Sequence, residues 1–296
     1  MLRRQQRPLW LRSLLWTWTF AYQKPLGFLG FLLVILFITL AVFAPWISPY
    51  DVGRIDLRNA LSGPTSAYWL GTDDVGHDVL TRLIWGARLS MTIGFGAVVS
   101  SSIVATILGI TSAYMGGMVD LVIGRLIDAW IAMPDLIILI TILGVVRRTE
   151  INLVFAMLVA LAIGRFAPVT RIYRSAVMEL RGRPFVEAAQ ASGASTIRVM
   201  AKHVFPNVLP LIIVTSTTAL PLAILAEASL SFLGFGPAGE PSWGQMLSVD
   251  GREFFTKQPM LALAPGFAIG FAVFGFNMFG DALRDMLDPR LRGEGR

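Results

Sequence analysis

From Leu89 to Val119 the chain carries no charged residue. Such a run exceeds the roughly 20 residues a helix needs to cross a bilayer's hydrocarbon core. In lipid, each backbone N–H and C=O must find its partner within the protein, which restricts the run to a membrane helix. Five further apolar runs accompany it: Leu26–Phe43, closed by Pro45 and Pro49; Leu121–Val146; Leu153–Tyr173; Pro206–Phe235; and Met260–Gly280. The pattern predicts an all-α integral membrane protein of six transmembrane helices. Charged residues make up 15% of the chain, against about 25% in an average soluble domain. Gly94, Gly96, Ser100, Ser101 and Ser102 give the second helix a small-residue face suited to close packing in lipid.

The net charge of +6 is not a nucleic-acid signal, because the basic residues lie mainly between the apolar runs, where they set topology. With the N-terminus inside, most lysines and arginines fall on the inner side, Arg147-Arg148 being a local exception. The resulting organisation is a cytoplasmic tail at 1–25, a first span at 26–44, an extracytoplasmic segment at 45–88, a five-helix core at 89–281 and a cytoplasmic tail at 282–296. The apolar stretch near residue 30 lacks a small-residue cleavage site after it and reads as a retained anchor. The chain has no cysteine, which excludes disulfides, thiolate nucleophiles and cysteine-based metal sites.

One polar island, 179–205, interrupts the apolar pattern and lies in the cytoplasm in this topology. Glu187 to Ala191 are strong helix formers, Gly193 suits a left-handed helix end, and Ser195 stands where it would cap a helix starting at Thr196. Ile197, Met200, Ala201 and Val204 recur on one face, opposite Arg198 and Lys202. Two short helices joined by a tight turn are predicted, followed by the fifth span from Pro206. So small a unit buries little apolar surface alone. Docking into a partner's groove would bury more, and lying on the bilayer surface is the other outcome the pattern allows.

The island resembles the EAA loop of ABC importer permeases: Glu187-Ala188-Ala189, three residues, Gly193, then an amphipathic run to Pro206. His203 stands at a position that is apolar in the pattern, and Phe205 replaces leucine before Pro206. Leu70 to Leu83, Ala226 to Gly234 and Asn277 to Arg290 are similar to three further motifs of the family's peptide-importing branch, with His77 where arginine is usual. The resemblance covers about residues 25–292 and implies a C-type permease subunit. Its implied partners are a second, B-type permease subunit, two cytoplasmic ATPases and an extracytoplasmic substrate-binding protein. Glu187, Ala188, Ala189, Gly193, Ile197, His203 and Pro206 would then couple to the ATPases, and closure of the ATPase dimer would switch access across the bundle. ATP and magnesium would be bound by those partners. A P-loop requires a Gly-Lys step, and here Lys24, Lys202 and Lys257 each follow a different residue. The chain is expected to be non-catalytic, in a bacterial plasma membrane with both termini cytoplasmic.

Several polar residues at membrane depth are candidates for the pathway or for interhelical pairing. Asp128 and Asp135 are seven apart and would share a helical face, with Arg125 as a partner for Asp128. Thr215 to Thr218 form a hydroxyl patch that would line a wetted path or bond back to helix carbonyls. Glu227 and Asn277 complete the set, Glu227 being either a substrate contact or a packing carboxylate. Asp73, Asp74, Asp78 and Arg82 would meet the binding protein or pair among themselves, and Trp243 with Phe254-Phe255 would anchor at the interface. His77 and His203 fall on opposite sides, so a shared metal site is not expected. Dipeptides or oligopeptides are the default cargo, with nickel chelates, glutathione, opines and peptide antibiotics as alternatives. A proton-coupled secondary transporter using Asp128, Asp135 or Glu227 is the competing class. A membrane hydrolase would lack a nucleophile with a base beside it.

Overall fold

The computed structural model describes residue 22 and residues 24–237, 239–248 and 250–287. Its elements are α1 (Pro25–Ile47), α2 (Val79–Met115), α3 (Gly117–Ile131), α4 (Asp135–Val146), α5 (Leu153–Arg181), α6 (Pro184–Ala191), α7 (Thr196–Phe235), α8 (Trp243–Ser248), α9 (Asp250–Glu253) and α10 (Met260–Leu287). Five of these helices are long and apolar enough to cross a membrane, and α3 with α4 forms a sixth candidate, bent by 86°.

That bend corrects the expectation of a continuous third span. Pro134 disfavours a helical conformation for the residue before it, so α3 ends at Ile131 and α4 restarts with Pro134 as its N-cap. Asp128 and Asp135 therefore do not share a face. Other boundaries shift outward: α2 begins ten residues before Leu89, capped by the Asp78 carboxylate accepting from the Thr81 N–H at 2.8 Å, α5 continues past Tyr173 to Arg181, and α10 continues past Gly280 to Leu287. The expected segment at 45–88 thus gives its last ten residues to a membrane helix, and the expected tail at 282–296 begins as helix. The tail residues at 1–21 and 288–296 lie outside the described residues.

Helix α2 is the central post, packed against α5, α1 and α7. Val34 and Phe37 of α1, Met91 and Val98 of α2, Ile224 of α7 and Phe276 of α10 share one core. Leu89 and Ile93 of α2, Leu139 and Leu143 of α4, and Met157 and Leu161 of α5 share another. The small residues expected on α2 work at both faces: Gly94 meets Ile224 of α7, Gly96 meets Leu158 of α5, and Gly109 lies against the backbone of Thr170 and Arg174. Association in lipid rests on such close approach, because apolar burial gains nothing over contact with lipid tails.

One end of the bundle is closed by a cap made of 48–78 and 236–259. Asp73 is its knot: its carboxylate accepts from the His77 and Val75 backbone N–H groups at 2.7 and 3.1 Å, contacts His77 Nδ1 at 2.8 Å and pairs with Arg82. Buried Gln258 donates from Nε2 to the Ser62 and Leu70 carbonyls, tying the two halves of the cap together. Trp243, expected at the membrane interface, is instead fully buried, stacked edge-on against Phe37 with its Nε1–H donated to the Leu83 carbonyl at 3.0 Å.

Candidate coupling site

At the other end of the bundle, α6 and the start of α7 form an elbow. Pro184 opens α6, where its missing N–H is harmless. Glu187 lies in the first turn, where the helix dipole favours a carboxylate. The helix closes in a Schellman motif: the Gly193 N–H bonds the Gln190 carbonyl at 2.9 Å, and the Ala194 N–H bonds the Ala189 carbonyl at 3.1 Å. Gly193 has φ of +77°, and a β-carbon there would meet nothing within 4 Å. Glycine is therefore required by backbone conformation, with no crowding involved. Ser195 occupies the next N-cap position, but its hydroxyl makes no capping bond.

The second short helix is not a separate element, contrary to expectation. Thr196–Val199 runs through a π-helical turn, Met200–Val204, straight into the fifth span. Pro206 supplies the reason: it has no N–H for the usual bond and its ring crowds the preceding turn, and the backbone widens so that the Phe205 N–H reaches the Met200 carbonyl. The second half of the elbow and the membrane helix form one segment of 40 residues, Thr196–Phe235, with Gly234 near its end non-helical, and α6 joins it through the Gly193 turn.

A small core holds the elbow to the bundle. Val186, Val199, Val204 and Val208 pack with Ile110, Ala113 and Tyr114 of α2 and Val177 of α5. Gln190 Nε2 donates to the Tyr114 hydroxyl at 2.6 Å. The outward side is left open: Glu187, Ala188, Ser192, Gly193 and Pro206 are exposed, as is Ile197 at 74%. Ala189 and His203 are half-buried. The site thus places an exposed ledge, with Glu187 on α6, Gly193 in the turn and Ile197 on α7, at one end of a membrane helix.

Residues 105–293 match the family described as binding-protein-dependent transport system inner membrane component, and residues 16–64 match the N-terminal TM domain of oligopeptide transport permease C. The chain belongs to this family of transport permeases. The dipeptide transport system permease protein DppC of Alkalihalophilus pseudofirmus is 40% identical over 91% of this chain and 88% of its own length. The oligopeptide transport system permease protein OppC of Bacillus subtilis is 39% identical over 90% and 86%. The fold is like that of a chain solved in inward facing conformations of the MetNI methionine ABC transporter, with a TM-score of 0.57 at 16% identity, over 70% of this chain and 96% of that one.

The remaining candidate residues of the permease are dispersed. Glu227 is fully buried and accepts hydrogen bonds from Ser90 of α2 and Ser231 of α7, both at 2.7 Å. Thr215, Thr217 and Thr218 bond back to carbonyls one turn earlier, and Thr215 also meets the Tyr173 hydroxyl at 2.7 Å. Ser216 alone of that patch reaches another helix through its hydroxyl without back-bonding, meeting Ser102 of α2 at 2.8 Å. Asn277 and Asp135 are exposed. In the cap, Asp73 and Asp78 are buried by their internal bonds, Asp73 pairing with Arg82, while Asp74 is half-buried. His77 in the cap and His203 in the elbow lie at opposite ends of α2.

Asp128 pairs with Arg171 of α5, not with Arg125 on its own helix. A second rung lies below it: both carboxylate oxygens of Asp120 accept from Arg174 at 2.6 Å, and the Ser112 hydroxyl adds a third bond at 2.5 Å. Interhelical pairing was among the expectations for Asp128, but Arg171 as its partner and the Asp120–Arg174 rung were not. The signal was present, since carboxylates and arginines inside adjacent membrane segments usually pair with each other.

Proposed function

We propose that this permease forms half of the translocation pathway of an ATP-driven peptide importer and takes up the motion of two cytoplasmic ATPase subunits at the elbow. The observation that carries the reading is the exposed set Glu187, Gly193 and Ile197, with Ile197 in the first turn of the helix that becomes the fifth span. The exposed apolar Ile197 and the exposed Glu187 carboxylate suit a protein groove, and a rotation imposed at Ile197 acts on α7 itself. Because α7 packs on α2 and α10, that rotation would repack the bundle between two access states.

Peptides are the cargo suggested by the names of the relatives. A second permease subunit completes the pathway, a binding protein delivers peptide at the cap, and the ATPases hold ATP and magnesium, leaving this subunit non-catalytic in a bacterial inner membrane. The elbow faces the cytoplasm and the cap faces outward, consistent with Arg171, Arg174, Arg181, Arg183 and Arg198 gathering at the elbow end.

The test is uptake of a labelled dipeptide by proteoliposomes containing the permease with its partner subunits. Uptake should require lumenal ATP and the external binding protein. Uptake by this chain alone, driven by a proton gradient, would instead establish a secondary transporter.

A further inference from the structure

Two rungs of the ladder are closed, and the charges for a third are present but apart. On α3 and α4 the acids are Asp120, Asp128 and Asp135; antiparallel α5 carries Arg174, Arg171 and Arg165 beside them, and a fourth arginine, Arg181, at its end donates to the Ala113 carbonyl of α2. Asp120 holds Arg174 and Asp128 holds Arg171. Asp135 makes no hydrogen bond or ion pair among the described residues, and Arg165 Nε is buried without an acceptor. A cation held at membrane depth without its counter-charge is costly.

The register brings these two groups to one place. Leu139 of α4 lies against Gly164 of α5. One turn back along α4, Asp135 is level with Pro168, which is about 4.5 Å along the α5 axis from Arg165 at the usual helical rise. Arg165, Pro168 and Ile172 follow helical spacing down one stripe of α5, and Pro168, Ile172 and Asp135 are all exposed. The 86° bend between α3 and α4 falls just before Asp135. It also sets Asp135 on a different helix axis from the two acids whose rungs are closed.

We propose that Asp135 and Arg165 form a switchable ion pair, open in this arrangement and closed in the other access state. A change of angle between α3 and α4 moves Asp135 relative to α5 while the Asp120 and Asp128 rungs hold α3 in place. The pair would then stabilise the second state by giving Arg165 its missing acceptor. The proposal rests on the importer reading, since two access states are part of it.

The test is a charge-exchange cycle on uptake by the reconstituted complex, at matched membrane abundance. Asp135→Arg and Arg165→Asp should each lower uptake about tenfold, the size of a typical coupling between interacting side chains, and the double exchange should restore most of it. A double exchange no better than the worse single variant would overturn the pair. Should reversal block insertion, Asp135→Asn and Arg165→Gln give a neutral cycle: the double variant should match the singles, and additive losses would overturn the proposal. In the cysteine-free background, Asp135→Cys with Arg165→Cys should cross-link through a short thiol reagent to different extents in nucleotide-free and vanadate-trapped complexes. Equal yields with trapping intact would overturn the switch alone, whereas absence of trapping in the unaltered complex would overturn the importer reading beneath it.

Discussion

Gly193 carries the shape of the elbow in one dihedral angle. Its φ of +77° costs a non-glycine residue about 1–2 kcal/mol, less for asparagine and more for a β-branched side chain. Because the space around it is open, the substitution series separates backbone strain from steric clash. Gly193→Asn should keep ATPase association and uptake near normal. Gly193→Val should lose both at normal membrane abundance, as read by co-purification of the ATPase subunits. Glu227 makes a contrasting case. Glu227→Ala would leave the Ser90 and Ser231 hydroxyls buried without their acceptor, a loss of roughly 1–3 kcal/mol for each unpaired group. A fall in membrane abundance and in melting temperature is expected. Uptake lost at normal thermal stability would mean that Glu227 touches substrate.

At the scale of elements, the five unbroken spans and the polar island were legible because hydrophobic run length and helix-ending glycine are local signals. The third span was not, since one proline set between two apolar runs decides a bend that their hydropathy does not register. The continuity of the elbow with α7 was hidden for a similar reason: Pro206 looks like a helix start, and only the widened turn shows that the chain runs through it. The cap was the least readable element. Its acids left a contact surface and self-pairing equally open, because their partners are backbone N–H groups and an arginine up to nine residues away, which no charge count reveals. Asp56 in the cap gives a pH test. Hydrogen bonds from Asn59 and from the Tyr68 hydroxyl hold its carboxyl below the ordinary range, and the same bond raises the Tyr68 phenol above its own. A lowered acid contributes stability above its unfolded value, about pH 4, and that contribution fades as pH falls through the folded value. The raised phenol contributes below about pH 10 and loses its contribution as pH climbs through the folded value. Amide exchange over 54–73 should therefore be most protected between these limits. Tyr68→Phe should lower protection at neutral pH and flatten the acid limb, and unchanged protection would remove this bond from the account.

At the scale of the whole molecule, a cap, a bundle and an elbow lie in line, with α7 running from the elbow to the cap. The family was legible from four spaced motifs, whereas the α3–α5 ion-pair ladder needed the register of two helices that are not adjacent in the pattern. Topology is tested with single cysteines, for which the chain offers a clean background. Ser192→Cys in the elbow and Glu240→Cys in the cap, both at exposed positions, should label from inside and outside respectively. Labelling of both from outside would remove the elbow from the ATPases' compartment. The most direct measurement places a photoreactive cysteine probe at Ile197, the most exposed apolar residue of the ledge, in the assembled complex. The account predicts an adduct with an ATPase subunit, absent when the probe is at Glu240. Labelling of lipid alone from Ile197, with ATP-driven uptake intact, would contradict it.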